Sequence, residues 1–394
     1  MSLRVSKPEF NIREKLNELD RPVGAQGNNI LQSNTTAESF SKIQAGRKNI
    51  LINGNMSIAQ RGTSTTSITT DTFGACDRWE LDLSTAGTWT MEQVGDAPYN
   101  TGFTHCSSLT CTASHALGSG GNFVQLRQKI EAYNIKGLRG GNPNAKPLTA
   151  SFWVKSNEPG KYYVRLSRVR TGKNTNFVSI SYTIEQSEVW EFKTITFPPD
   201  TQDGYRTDEN AEALVIYFTL GMNQNSYGSA HYGIWHNNPA FTGRGQTNLA
   251  AANGNYWRMT GAQLEIGSEH TEFEHRPFQE DLELCQRYFQ KISAYSDMVC
   301  VGPGRSNGTT NAPFTVPLAT PLRASPVLNA CSWAVFTPHT QTNSASQTPS
   351  VLKWEANSSV LTCELGSLSG MTNGRSLTVF LNGNNEVFKM DAEM

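Results

Sequence analysis

The spacing of apolar residues changes twice along the chain, and each change marks a change of architecture. In residues 8–20, Ile12, Leu16 and Leu19 recur at helical intervals behind Pro8 with charges on the opposite side, which predicts a short amphipathic helix. In TTAESFSKIQAG, residues 35–46, Thr35 and Glu38 have capping-box spacing, Phe40 and Ile43 share a stripe, and Gly46 fits a C-cap. Helices this short draw most of their stability from tertiary contacts. Residues 1–47 therefore read in two ways. They are an attachment segment that docks elsewhere through Phe10, Ile12, Leu16, Leu19, Phe40 and Ile43, or a tail lying on its own domain.

From residue 48 the period drops to two. KNILIN, DRWELDL, TWTMEQV, SSLTCTA, NFVQLRQKI, LTASFWVKS, KYYVRLSRVR, NFVSISYTI, WEFKTITF, ALVIYFTLG and YWRMTGAQLEIG alternate β-branched or aromatic residues with polar ones, and Gly, Asn, Pro, Asp and Ser turns separate them. No helical pattern lies between these segments, so the crossovers of a parallel sheet are missing. The spacing predicts a mainly β chain whose residues 48–276 form a jelly-roll β-sandwich. In RPFQEDLELCQRYFQKI, Phe278, Leu282, Cys285, Phe289 and Ile292 then recur at intervals of 4, 3, 4 and 3, with acids early and Arg287 and Lys291 late. This predicts a connector helix over 277–292. Its seam either joins two copies of the chain or packs only against its own sandwich. Residues 293–394 return to short alternating segments and predict a second small β-sandwich with polar loops.

Composition narrows the partners. Charged residues are 17% of the 394 and sum to a formal −1, so the basic field of a nucleic-acid binder or a polybasic membrane anchor is missing. No segment approaches the ~20 apolar residues that cross a bilayer, and membrane insertion is not expected. The seven cysteines contain no CxxC pair and read as reduced, mostly buried thiols. The expected product is a soluble protein made in the cytoplasm.

Several pieces taken in order carry a resemblance: ILINGNMSIAQRGTS, DRWELD, VQLRQKIE, ASFWVKS, WEFKTITFPPDT, GIWHNNPAFTGRGQTNLAAANGNYW and TGAQLEIGSEHTEFEHRPFQEDLELCQRYFQK. The series, over roughly residues 48–292, resembles bacteriophage virion structural proteins of the tail-fibre type with a carbohydrate-binding-module-like jelly roll. FNIREKLNELDRPVGAQG resembles an attachment segment of marine-phage and cyanophage proteins, and FKMDAEM an ending common among them. The resemblance implies a virion protein, expected to be a homotrimeric tail fibre or fibre-like appendage. It would join other tail or capsid proteins through residues 1–47, and its outer domain would meet host cell-surface polysaccharide. A head decoration or head-fibre protein is the alternative, since fibres, tail adaptors and head decorations share these modules.

Motifs for chemistry are sparse. HExxH, a Walker A spacing, and a GxSxG or GxGxxG between a strand and a helix are all missing from the sequence, so no catalytic residue, cofactor or metal ligand is assigned and the chain is read as a non-enzyme. SEHTEFEH gathers His270 and His275, but five residues apart on an extended segment they point to opposite faces. A polysaccharide depolymerase is a second alternative, although no sequence pattern singles out a carboxylate pair and no internal repeat is present. Sugar rings stack on aromatic faces while amides and hydroxyls meet their hydroxyl groups. That chemistry nominates Tyr227, His231, Tyr232, Trp235 and His236 in NQNSYGSAHYGIWHNN, and Trp333, His339 and Trp354 in the last domain. A core or sheet-edge role for Trp235 is the competing reading.

Overall fold

The alternating segments demand partners for their backbone N–H and C=O groups, and antiparallel ladders supply them between the described strands. The computed structural model describes residues 47–118, 121–202, 204, 206, 209–223, 233–237, 245–295, 297–337 and 340–394. The attachment candidates Phe10, Ile12, Leu16, Leu19, Phe40 and Ile43 lie outside the described residues. The chain divides into Met1–Lys48 and a second unit, Asn49–Met394, which carries both β domains.

Its first part runs through β1 (Ser64–Ile68), β2 (Thr72–Phe73), β3 (Glu80–Ser84), β4 (Thr88–Val94), β5 (Cys106–Ala113), β6 (Phe123–Glu131), β7 (Leu148–Ser156), β8 (Gly160–Arg168), β9 (Asn176–Ile184), β10 (Glu191–Phe197), β11 (Glu212–Met222) and β12 (Tyr256–Ile266). They form two six-stranded sheets of order β1-β4-β5-β12-β7-β10 and β2-β3-β6-β11-β8-β9. The chain crosses between sheets repeatedly, as a jelly-roll sandwich requires. Inward residues of both sheets build one core around Trp79, Trp89, Phe152, Phe218 and Trp257. The rings bridge the layers: Phe152 of β7 and Trp257 of β12 meet Phe218 of β11 with centroids 5.0 and 5.8 Å apart. These spacings suit edge-on and tilted ring pairs.

The helix α1 spans Phe278–Gln286, capped by Pro277 with extended dihedrals and carrying Glu280 and Asp281 in its first turn. Here the structure corrects the expected 277–292 helix. Phe289–Ala294 is a strand, β13, whose residues Phe289 and Ile292 pair with Asp391 and Phe388 of β22 (Glu386–Asp391). A short helix followed by a strand meets the same 4-3-4-3 spacing, and the ladder offered by β22 overrides local propensity. The seam therefore does not form. Phe278 is 61% exposed, Cys285 and Tyr288 are buried with Ile52 and Ile58, Leu282 packs beside them, and Ile292 packs on the C-terminal core.

The last part contains β13, β14 (Val299–Arg305), β15 (Ala312–Pro317), β16 (Val327–Leu328), β17 (Cys331–Thr337), β18 (Thr340–Gln347), β19 (Ser350–Lys353), β20 (Val360–Leu365), β21 (Ser376–Leu381) and β22. The three-stranded sheet β13-β22-β16 and the seven-stranded sheet β18-β17-β21-β14-β15-β20-β19 enclose a second core around Phe314, Trp333, Val379 and Phe388.

Between the cores lies a joint built largely from charge. Arg78 is buried, sits 3.4 Å over the Tyr288 ring, donates to the Lys129 carbonyl at 2.7 Å and pairs with Glu393. Arg61 lies 3.9 Å over Phe289 and reaches Asp391 at 3.0 Å. Arg287 makes a two-toothed bond to Glu131, both contacts 2.9 Å. Arg323 donates to the carbonyls of Asn210, Ala392 and Glu393 at 2.8, 3.0 and 2.9 Å. Charge-assisted, bidentate contacts of this kind fix orientation as well as adding energy.

Candidate functional site

Alternation along β7 turns Phe152 and Val154 into the core and leaves Ser151, Trp153 and Lys155 on the outer face of the first sheet. Register then assembles a surface. Trp153 stands opposite Phe192 of β10 and opposite Thr260 of β12, Ser151 opposite Thr194, and Lys155 opposite Arg258. The Trp153 and Phe192 rings lie 5.4 Å apart, and Phe192 is 41% exposed.

Two loops raise walls over this face and enclose a groove of about 390 Å³. One wall is Phe103, from the loop after β4. The other is the stretch 270–275 after β12, which carries His270 against Phe192 at 5.4 Å and Phe273 edge-on to Phe103 at 4.9 Å. Ser151, Thr101 and Glu272 add polar atoms to the aromatic lining. Buried polar side chains hold the second wall in place. Glu265 accepts from the backbone N–H and hydroxyl of Thr271, each at 2.8 Å, and Gln263 accepts from the N–H of Glu274 at 2.9 Å. A bulge in β12 makes room for the first wall. Gly261 has φ +62°, and a Cβ there would stand 2.6 Å from the Phe103 ring.

One step along the strands the face turns from aromatic to charged. Asp96 accepts from Lys155 at 2.9 Å, from the indole N–H of Trp190 at 3.1 Å, and from Arg258. Partial burial works to raise the Asp96 pKa, but these three donors outweigh it and hold the carboxyl below its ordinary range. Arg258 also donates to Ser108 at 3.2 Å and lies 4.6 Å over the Tyr256 ring, whose hydroxyl donates to Glu188. Burial first, and the Glu188 contact second, keep the Tyr256 phenol protonated to higher pH than usual.

The sequence candidates fare unevenly. Tyr227, His231, Tyr232 and His339 lie outside the described residues. Trp235 belongs to the jelly-roll core, with its indole N–H given to the Pro198 carbonyl at 2.7 Å, and His236 is buried while its backbone exchanges hydrogen bonds with Phe177. Trp333 is fully buried, its ring 5.0 Å from Phe388 and its N–H bonded to the Gln347 carbonyl at 2.8 Å, so it offers no face to a ligand. Trp354 is half-buried and packs on the same core. His270 and His275 both line the groove, because their segment is a bent loop and the alternation argument does not apply. Among the described residues no group of three or more His, Cys, Asp or Glu is arranged to hold a metal ion. Phe103, Trp153, Trp190, Phe192 and Phe273 were missed. The available signal was the adjacent pair Phe152–Trp153, in which alternation forces one ring outward.

No protein-family model matches the sequence, and no curated protein matches it. Solved structures give similarities at low identity. The enzymatically active domain of bacteriophage CBA120 tailspike protein 4 matches at 13% identity and TM-score 0.30, covering 55% of this chain and 21% of that one. The CBM22-1 xylan-binding domain from Paenibacillus barcinonensis matches at 8% identity and TM-score 0.30, covering 57% of this chain and all 100% of that one. TmCBM61, solved with β-1,4-galactotriose, matches at 12% identity and TM-score 0.27, covering 56% and 99%. At these values the matches assign no ligand and no activity to this chain.

Proposed function

We propose that the protein is a non-enzymatic virion structural protein of the tail-fibre type whose jelly roll binds a glycan in the groove on its first sheet. The observation that carries the glycan reading is the groove itself. Trp153 and Phe192 form an aromatic floor bordered by the packed Phe103–Phe273 pair and by His270, with hydroxyl and carboxyl groups at its margin. Pyranose rings present apolar faces that stack on such rings and hydroxyls that need such partners. Placement on a virion rests on the ordered sequence pieces from ILINGNMSIAQRGTS to QRYFQK, with residues 1–47 as the attachment to the particle. Ligand recognition moves in this reading from the outer domain to the jelly roll, because Trp333 is enclosed. The expected trimer loses its helical seam and keeps the edge strands β1, β10 and β2 as means of association.

The test is binding of host polysaccharide by the full chain, compared with Trp153→Ala and Phe192→Ala. Each ring contributes on the order of 1 kcal/mol beyond its area, so each variant loses roughly five- to tenfold in affinity while its unfolding midpoint stays close to that of the parent. Release of reducing ends from the polysaccharide would replace this reading with a depolymerase. Unchanged binding by both folded variants would remove the groove. Sedimentation equilibrium reads the oligomer, with a trimer mass expected.

A further inference from the structure

We infer that the charged patch of Asp96, Lys155, Arg258 and Trp190 is a second subsite continuous with the aromatic groove, so that the face binds a run of neutral sugars rather than one terminal residue. The inference rests on the glycan reading above and extends it along the sheet.

Register makes the two regions neighbours. Lys155 follows Trp153 by two residues on β7, Arg258 precedes Thr260 by two on β12, and Trp190 precedes Phe192 by two at the start of β10. A step of two residues along a strand is roughly 7 Å, so aromatic floor and charged patch adjoin on one face with no strand between them. The patch is half-open: the side chains of Asp96, Lys155 and Arg258 are 31%, 15% and 26% exposed. They are held in place without being used up. Arg258 commits Nε to Ser108 and Nη1 to Asp96, out of five N–H donors. Lys155 commits one of three to Asp96. Locked by its three donors, Asp96 keeps one of its roughly four lone-pair sites, on Oδ1, for an incoming hydroxyl. A carboxylate flanked by fixed cationic donors accepts from one sugar hydroxyl while the cations donate to the next.

Charge settles the class of sugar. Lys155 and Arg258 pair with Asp96, Glu188 holds the hydroxyl of the Tyr256 ring under Arg258, and the adjoining groove carries Glu272 beside His270 and His275. The cations are outnumbered, so a uronate or sulfated chain meets repulsion where a neutral chain meets matched donors and acceptors.

The experiment is calorimetric titration of the full chain with a length series of neutral oligosaccharides, from disaccharide to hexasaccharide, and with an oligogalacturonate of matching length. The neutral series should be one prepared from the polysaccharide that the full chain binds. Affinity should rise from the disaccharide to the longer members. Asp96→Asn should lower affinity for the hexasaccharide roughly tenfold, the worth of one hydrogen bond to a charged group, and leave the disaccharide, held on Trp153 and Phe192, unchanged. Because Asp96 is partly exposed, Lys155→Met serves as a second variant with the same expected pattern, and the unfolding midpoint checks that both fold. Equal affinity across all lengths, an unchanged length dependence in both variants, or tighter binding of the oligogalacturonate would each overturn the second subsite or its preference. If Trp153→Ala and Phe192→Ala bind every member as the parent does, it is the groove reading itself that fails.

Discussion

Replacing Glu393 with alanine should cost the protein more than any surface charge change, and the joint between the cores shows why. The Glu393 side chain is 4% exposed and its partner Arg78 1% exposed. Its second neighbour, Arg61, lies 3.5 Å away but also holds Asp391 at 3.0 Å. Removing Glu393 strands Arg78 in a dry site with the Lys129 carbonyl, the Tyr288 ring and the more distant Glu131 carboxylate as company. Breaking one side of a buried ion pair costs about 3–5 kcal/mol, and the remaining carbonyl and ring contacts place Glu393→Ala near the lower end. That is a large share of the roughly 5–15 kcal/mol that holds a domain folded. Replacing both partners with apolar residues of similar length, Arg78→Met with Glu393→Met, removes the desolvation penalty along with the pair and should cost less than the single change. Since Glu393, Asp391 and Arg323 tie the two cores together, Glu393→Ala should also split the unfolding endotherm, with the C-terminal core melting first. Calorimetry and urea titration of the three proteins read both effects. The exposed pair Lys353–Glu355, 69% and 62% open, supplies the control: Glu355→Ala should stay within about 0.5 kcal/mol. A Glu393→Ala cost below about 1 kcal/mol, or a double variant as unstable as the single one, would refute the claim that the joint depends on a buried charge pair.

Trp333→Ala should destabilise the C-terminal core by about 3–5 kcal/mol and leave glycan affinity unchanged, checked by urea titration and by calorimetric binding. Gly261→Ala should strain a left-handed residue and drive its Cβ into Phe103, costing about 1 kcal/mol or more and weakening glycan binding through displacement of that wall. Burial lifts the Asp82 pKa from 3.8 to about 6 against the pull of Arg127 and Gln125. Its folded-state pKa lies above the unfolded one, so folding favours the protonated form and the Asp82 contribution to stability falls as pH rises from about 4 to about 6. Wild type should therefore lose stability relative to Asp82→Asn over that window, read as the difference in urea midpoints, and a difference independent of pH would contradict the assignment.

Period-two alternation was enough to place most strands of both β domains, because it is a local property of a chain with one buried and one wet face. It also forced Trp153 outward once Phe152 faced the core. What alternation left open was which outward residues meet: Trp153 and Phe192 are 39 positions apart and Phe103 and Phe273 are 170 apart, and register and loop course alone bring them to one groove. Aromatic residues in Asn- and Gly-rich stretches looked like ligand contacts, but a buried ring such as Trp333 and an exposed one such as Phe192 carry the same local signature. The end of α1 was hidden for a similar reason. The spacing from Phe278 to Ile292 fits a continuous helix, and only the distant strand β22 pulls Phe289 into a ladder. The charged joint was least visible, since Arg78 and Glu393 stand 315 residues apart and their burial depends on two domains meeting. Sequence by itself thus determined the alternation, the turns and the class of fold, which depend on neighbours along the chain. Tertiary structure decided burial, pairing and the groove, because these depend on which distant segments exclude water from one another.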